Sequence, residues 1–394
     1  MVRTNKNADV LPAKEHEYLL QAALLSGTDV VRAWKHWKSM VPDIDRLDGQ
    51  SYQLFPLAYR NLERYGIKDE ATDKLKSVYA YHWAKNRVAL QQLNAIIDGF
   101  NSLGIKNLIL KGGALIPLYY GDVGTRVMGD LDILVPMQDF QKAADFLRSM
   151  NWIPRKKPQR FDPRFFYSIT FNASKGAAIR KFEVDLHCHV LFEACDSDAD
   201  ALFWEGSLPF VFQGVNSRVL CPTDQLLHAC VHGIKKEWSD PNYKWIPDAM
   251  MIFRHDGEKI DWERLVMLAT KFGVAPLLAI ALSYLTQSMG ANIPSDVIDS
   301  LDNAQISGIQ RLRCKMDLVD LRTHPIALMK WHWCIYSQGM KNASVCTRLV
   351  RLPKYLKYLV QTNNVILLSI KFPYKFAKLL CRTVMNRFLK FQAK

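Results

Sequence analysis

No uninterrupted apolar run of about eighteen residues occurs in this sequence, so a membrane-spanning helix is not expected. The eight cysteines, at positions 188, 195, 221, 230, 314, 334, 346 and 381, contain no CxxC pair. With no N-terminal signal segment recognisable either, the expected setting is a reducing cytoplasm with free thiols. Internal repeats and low-complexity tracts are also missing. From Arg351 to Lys394 there is no Asp or Glu at all, against ten Lys or Arg. That one segment accounts for ten of the fourteen excess positive charges, and the rest of the chain is only mildly basic. Such a charge attracts nucleic acid, an anionic membrane or a phosphorylated substrate without choosing among them. What is present is ordinary for a globular protein: 394 residues, 49% hydrophobic and 23% charged. A chain of this length has room for two or three domains, and disorder is excluded as its dominant state.

Apolar residues at helical spacing open the chain. Tyr18, Leu19, Ala22, Ala23, Val30, Val31, Trp34 and Trp37, then the segments Leu57 to Tyr65 and Leu75 to Phe100, predict a helical region over residues 1–100. Tyr79, His82, Trp83, Val88 and Leu90 read as packing residues. Asn101 to Gly104 is a helix stop, and Ile105 to Leu110 a short strand. Gly112 and Gly113 lead into a short helix, Ala114 to Tyr120, and then a loop carrying Arg126. Strand, glycine pair and helix in that order place backbone N–H groups where an anion can sit. Residues 139–150 form an amphipathic helix expected to cover the back of a sheet. Phe166 to Phe171 and Arg180 to Val190 flank a loop at Asn172 to Gly176 and predict a hairpin. Beyond Pro222 the pattern is helical, with Thr223 as the expected cap of the first helix.

The chemistry lies in the strands. Asp130 and Asp132 are one residue apart between Leu131, Ile133 and Val135, so both carboxylates leave the same face of a strand. Glu183, Asp185, His187 and His189 alternate with Phe182, Val184, Leu186 and Cys188 in a second strand. Asp130, Asp132 and Asp185 therefore converge on one patch, which suits hard divalent cations and a triphosphate. Asp130 and Asp132 are the expected ligands of one Mg²⁺ and share a second with Asp185, which brings an acceptor oxygen into line. Lys111 and Arg126 are candidate phosphate contacts, with structural ion pairing as the competing role for each. His187 shares the face of Asp185 and either orients that carboxylate or contacts the nucleotide. His228 and His232 fall four apart on a helix, but no third ligand accompanies them and zinc binding is not expected. Asp248 either closes the cleft from the helical side or caps a helix.

Leu110 to Leu115, Tyr119, Arg126, Asp130 to Val135, Val184 to His187, and the later His228, Trp245 and Asp248 together carry a resemblance. They resemble the polymerase-beta-type nucleotidyltransferase superfamily, and within it a family of largely uncharacterised bacterial nucleotidyltransferases, over about residues 15 to 290. The resemblance implies transfer of a nucleoside monophosphate from a triphosphate to an acceptor, with pyrophosphate released. It implies Mg²⁺ as cofactor, an NTP donor, ATP by expectation, held by Gly112 and Gly113, and an acceptor that is a small molecule, sugar, peptide or protein.

The expected fold is α+β: a small mixed-sheet nucleotidyltransferase core, residues 101–215, between an N-terminal helical region, 1–100, and a C-terminal helical domain, 216–345. A basic tail, 346–394, follows. Its segment 371–394 reads as a basic amphipathic helix able to dock on the body of the chain, on a protein or on an anionic membrane at the inner face. Nucleic acid is not an expected partner. The competing functions are a metal-dependent phosphohydrolase and a catalytically inactive nucleotide-binding or interaction protein.

Overall fold

Helices come first because the opening hundred residues carry both the apolar spacing and the capping side chains that helices need. The computed structural model describes residues 10–41, 43–155, 162–173, 182–195, 197–236 and 242–359. The opening helices are α1 (Lys14–Leu24), α2 (Thr28–Met40), α3 (Gly49–Arg64) and α4 (Glu70–Ser102). Asp48 accepts from the Ser51 amide at the start of α3, and Asp69 and Thr72 form a reciprocal capping box at the start of α4. The 33 residues of α4 span about 50 Å at 1.5 Å per residue. Leu90, Leu93, Ile96, Ile97 and Phe100 on that helix are buried against the sheet. Two residues expected to pack do not: Trp83 is 41% exposed and Val88 37% exposed.

Gly104, with φ +68°, turns the chain out of α4 into β1 (Leu108–Ile109), shorter than the strand read from the sequence. There follow α5 (Lys111–Leu115), a π-helical turn at Ile116–Tyr120, β2 (Asp130–Leu134), α6 (Phe140–Ser149), β3 (Trp152–Pro154), β4 (Ser168–Ala173) and β5 (Glu183–His187). After α7 (Ser197–Gly206) comes a hairpin of β6 (Leu208–Phe212) and β7 (Val215–Val219). Among the described residues one sheet takes seven strands, in the order β3-β4-β5-β2-β1-β7-β6. In it β2 with β5 and β1 with β7 run parallel and the other neighbours antiparallel. The mixed sheet flanked by helices is the α+β architecture expected, enlarged by β3, β6 and β7.

Alternation divides the faces. Ile109, Leu131, Ile133, Ile169, Phe171, Val184, Leu186 and Val219 join Ile97 of α4 and Phe140, Ala143, Ala144 and Leu147 of α6 in one buried cluster. Full burial of an aliphatic side chain contributes roughly 1.5–3 kcal/mol, so this back face fixes the register that decides where the aspartates point.

Beyond the sheet lie α8 (Pro222–Gly233), α9 (Trp245–Asp256), α10 (Trp262–Lys271), α11 (Ala275–Met289) and α12 (Ser295–Asp302). The cap of α8 is Cys221, with Pro222 in the first turn. Thr223 is therefore not the cap; its hydroxyl accepts from the Asp261 amide at 2.9 Å and ties α8 to the start of α10. Proline's fixed φ and missing N–H start the helix two residues sooner.

Contacts divide the chain into two units, Met1–Ile234 with Asn242–Ala304, and Lys235–Pro241 with Gln305–Lys394. Helices α13 (Gly308–Asp317), α14 (Pro325–Gly339) and α15 (Val345–Leu359) belong to the second. There Trp331 is buried and donates its indole N–H to Asp317 at 2.8 Å, while Trp333 is 54% exposed. The basic helix expected from Tyr374 onward and the loop at Ser174 to Gly176 lie outside the described residues. Among the described residues no helix is long and apolar enough to cross a membrane.

Candidate active site

The parallel pairing of β2 with β5 sets Asp132 directly beside Asp185, with Asp130 beside Glu183 and Leu134 beside His187. Asp132 is 2% exposed, and its Oδ1 accepts from Lys111 Nζ at 2.7 Å and lies 3.0 Å from His187 Nε2. Burial alone would raise the proton affinity of Asp132, but the Lys111 ammonium and His187 outweigh it and hold the carboxylate well below its usual range. Asp130 is raised, first by the Asp132 charge and then by burial, with Lys111 opposing. The Oδ1 atom of Asp185 is buried and has no hydrogen-bond partner.

Ligand atoms of Asp132, Asp185 and His187 all fall within 4.8 Å of one another, and among the described residues they form the group able to hold a metal ion. Asp130 stands outside that group, although the three aspartates interact electrostatically. Two carboxylates and an unpartnered buried oxygen fit a hard divalent cation. His187, already engaged by Asp132, suits the part of a partner that orients a ligand.

Leu110 leaves β1 extended, and Lys111 then takes φ +44°, an uncommon conformation for a residue with a Cβ, so that its side chain returns to Asp132. The two glycines that follow are closely packed. A Cβ on Gly112 would lie 2.6 Å from Arg126 Nη1 and 3.0 Å from the Met128 side chain. A Cβ on Gly113 would lie 2.7 Å from Leu93 and 2.8 Å from Ile109.

Arg126 is buried and paired bidentately with Asp248, at 2.7 Å from Nε and 2.8 Å from Nη2. The Tyr120 hydroxyl also donates to Asp248, at 2.7 Å. Asp248 is thus not a helix cap; it sits in the first turn of α9, whose cap is Lys244. Burial works against the Arg126 charge, and the Asp248 carboxylate more than compensates, raising the guanidinium above its ordinary value. A cavity of about 110 Å³ opens between these elements, lined by Lys111, Gly112, Arg126, Asp130, His228 and Lys244 among others. His232 lines it as well, with its ring centroid 5.7 Å from that of His228. His189 lies apart from this cavity, held between Asp200 and the Pro163 carbonyl.

Sequence reasoning singled out neither Tyr120 nor Lys244. Both are adjacent to residues it did single out, Tyr119 and Trp245, and a polar or cationic neighbour at the mouth of a helix was the available signal.

Paired strand carboxylates beside a glycine-pair turn define the class of the core, that of a nucleotidyltransferase. The chain belongs to the family described as uncharacterised nucleotidyltransferase, whose family model matches residues 50–290. The match starts within α3, so α1 and α2 lie outside it. No curated protein matches the chain. Among solved structures, an antigenic nucleotidyltransferase-like protein from Paracoccidioides brasiliensis is 15% identical, over 56% of this chain and 94% of its own, with a TM-score of 0.34.

Proposed function

We propose that the protein transfers a nucleoside monophosphate from an NTP, with ATP the expected donor, to a small-molecule, sugar, peptide or protein acceptor. In that reaction the acceptor oxygen bonds the α-phosphorus, the bond from that phosphorus to the bridging oxygen breaks, and pyrophosphate leaves. The observation that carries the reading is the adjacency of Asp132 and Asp185 on parallel strands, with an unpartnered Asp185 oxygen, beside the Lys111-Gly112-Gly113 turn.

Asp132 and Asp185, with Asp130 beside them, are the residues to hold Mg²⁺. The bound ion supplies charge neutralisation at the phosphates and alignment of the attacking oxygen. Lys111 keeps Asp132 ionised, and His187 fixes the carboxylate's orientation. Asp185 Oδ1, the oxygen without a hydrogen-bond partner, is the one open to the cation, and the carboxylate then receives or directs the acceptor's proton or acts through its charge alone. Gly112 leaves room for Arg126 Nη1 at the cleft, so that one guanidinium nitrogen is directed toward the phosphates while the other two are held by Asp248. Transfer of this kind depends on positioning and charge neutralisation more than on covalent help from the protein.

The test uses ATP labelled at the α- or the γ-phosphate, incubated with the protein, Mg²⁺ and fractionated extract. Label from the α-position is expected in an acceptor fraction, with γ-label recovered in pyrophosphate, and Asp185→Asn is expected to abolish both. Release of γ-label as inorganic phosphate without acceptor would instead establish the phosphohydrolase.

A further inference from the structure

Three cations line the cavity, and their pairing differs. Lys111 is bound to Asp132 and Arg126 to Asp248. Lys244, half-buried at the cap of α9, makes no hydrogen bond or ion pair through its ammonium among the described residues. Its backbone is fixed all the same: its N–H donates to Asn242 Oδ1 at 3.1 Å and its carbonyl accepts from the Asp248 amide at 3.1 Å. The same turn of helix therefore positions Lys244 and the carboxylate that clamps Arg126.

A half-buried ammonium with no direct ion pair is unfavourable, and here neighbouring cations add to the cost. Burial, then repulsion from Arg126, lowers the proton affinity of Lys244, and Lys111 acts in the same sense against the partial relief given by Asp130 and Asp248. An ion pair retained for stability looks different, as Arg126 with Asp248 shows. A cleft in which two cations are ion-paired and a third has only the more distant Asp130 and Asp248 to offset it is one arranged for an anion.

We propose that Lys244 binds the phosphates of a polyphosphate ligand in this cavity, as the cation whose charge is uncommitted before the ligand arrives. The proposal rests on the nucleotidyl-transfer reading above for the identity of that ligand as a triphosphate, though not for its being a polyphosphate. Lys111 then serves to position Asp132, and Arg126, with Nε and Nη2 held by Asp248, has Nη1 alone to offer beside Gly112. Lys244 supplies a mobile, strongly hydrated point charge with three donors, suited to phosphate oxygens that move as the bond breaks.

Two probes separate this proposal from the reading it rests on: inorganic tripolyphosphate and a nonhydrolysable ATP analogue, each with Mg²⁺. Their affinities are to be measured by calorimetric titration on wild type, Lys244→Met and Lys244→Arg at two salt concentrations. Lys244→Met is expected to weaken both probes about tenfold or more, the size of one lost charge-assisted hydrogen bond, and to flatten the salt dependence. Lys244→Arg is expected to retain most of the affinity. Equal tripolyphosphate affinity in wild type and Lys244→Met overturns the proposal, even where the ATP analogue binds and the functional reading stands. Failure of the wild type to bind tripolyphosphate overturns it too. Tripolyphosphate binding that requires Lys244, without binding of the ATP analogue, supports the proposal and contradicts nucleotidyl transfer.

Reductive labelling with pyridoxal 5′-phosphate and borohydride gives a reading on the unaltered protein. Tripolyphosphate with Mg²⁺ is expected to protect the Lys244 peptide, and undiminished labelling there overturns the assignment.

Discussion

Replacing Asp248 by alanine removes the counter-charge of a guanidinium that has almost no access to water. Arg126 loses the carboxylate at 2.7 and 2.8 Å, and Tyr120 loses its acceptor at 2.7 Å. Breaking a buried pair from one side destabilises by about 3–5 kcal/mol, because a charge is left without compensation. For a unit of this size each kcal/mol lowers the melting temperature by about 2–4 °C, so Asp248→Ala is expected to melt about 6–20 °C below wild type. Asp130 also favours the Arg126 charge, which places the expected loss toward the lower end. Calorimetric melts of wild type, Asp248→Ala, Arg126→Met and Arg126→Met/Asp248→Leu complete the test. The double variant should recover most of the lost stability, since an apolar pair of similar volume commonly replaces a buried ion pair at little cost. It should not recover triphosphate binding. A melting temperature for Asp248→Ala within about 1 °C of wild type would refute the reasoning, as that is what a surface substitution gives. A double variant no more stable than the weaker single one would assign the loss to packing instead of charge.

Two other perturbations test separate parts of the account. Gly112→Ala puts a Cβ 2.6 Å from Arg126 Nη1. It is expected to cost about 1–3 kcal/mol and to weaken triphosphate binding several-fold, whereas Gly49→Ala, with open space around it, leaves both unchanged; equal binding by Gly112→Ala would contradict the role given to Arg126 Nη1. In the second unit, burial pushes the His332 imidazole down to about 4 from an ordinary 6.5. Between those values the unfolded chain takes up a proton that the folded one refuses, so stability falls as pH drops from 6.5 toward 4 and levels off below. Protection factors of α14 amides, corrected for the intrinsic exchange rate at each pH, are expected to fall across that window in wild type and less in His332→Gln; identical profiles would remove His332 as the cause.

The aspartates were legible because strands alternate strictly. Asp130, Asp132, Asp185 and His187 could be assigned to one face from Leu131, Ile133, Val184 and Leu186 alone, and the glycine pair from its place between strand and helix. The β6–β7 hairpin was not. Its turn, Gln213-Gly214, has φ of +47° and +85°, the left-handed pair that Asn-Gly or Asp-Gly usually signals. Glutamine in the first position hid a turn that the following glycine makes possible. Nor could local patterning show that Asp248 neutralises Arg126, since the two are 122 residues apart in sequence. The same holds for Lys111, whose strained φ and bond to Asp132 arise from how β1 meets α5. Pairing of charges across a fold is decided by tertiary geometry, which is why the sequence leaves Arg126 open between phosphate contact and structural ion pair and does not single out Lys244.

The most direct test of the account is a calorimetric titration with a nonhydrolysable ATP analogue, with and without Mg²⁺, on wild type and Asp130→Asn/Asp132→Asn. Binding that requires Mg²⁺ and disappears in the double variant is the predicted result. Affinity indifferent to Mg²⁺, or retained when both aspartates are replaced, would contradict a metal-dependent nucleotide site at these strands.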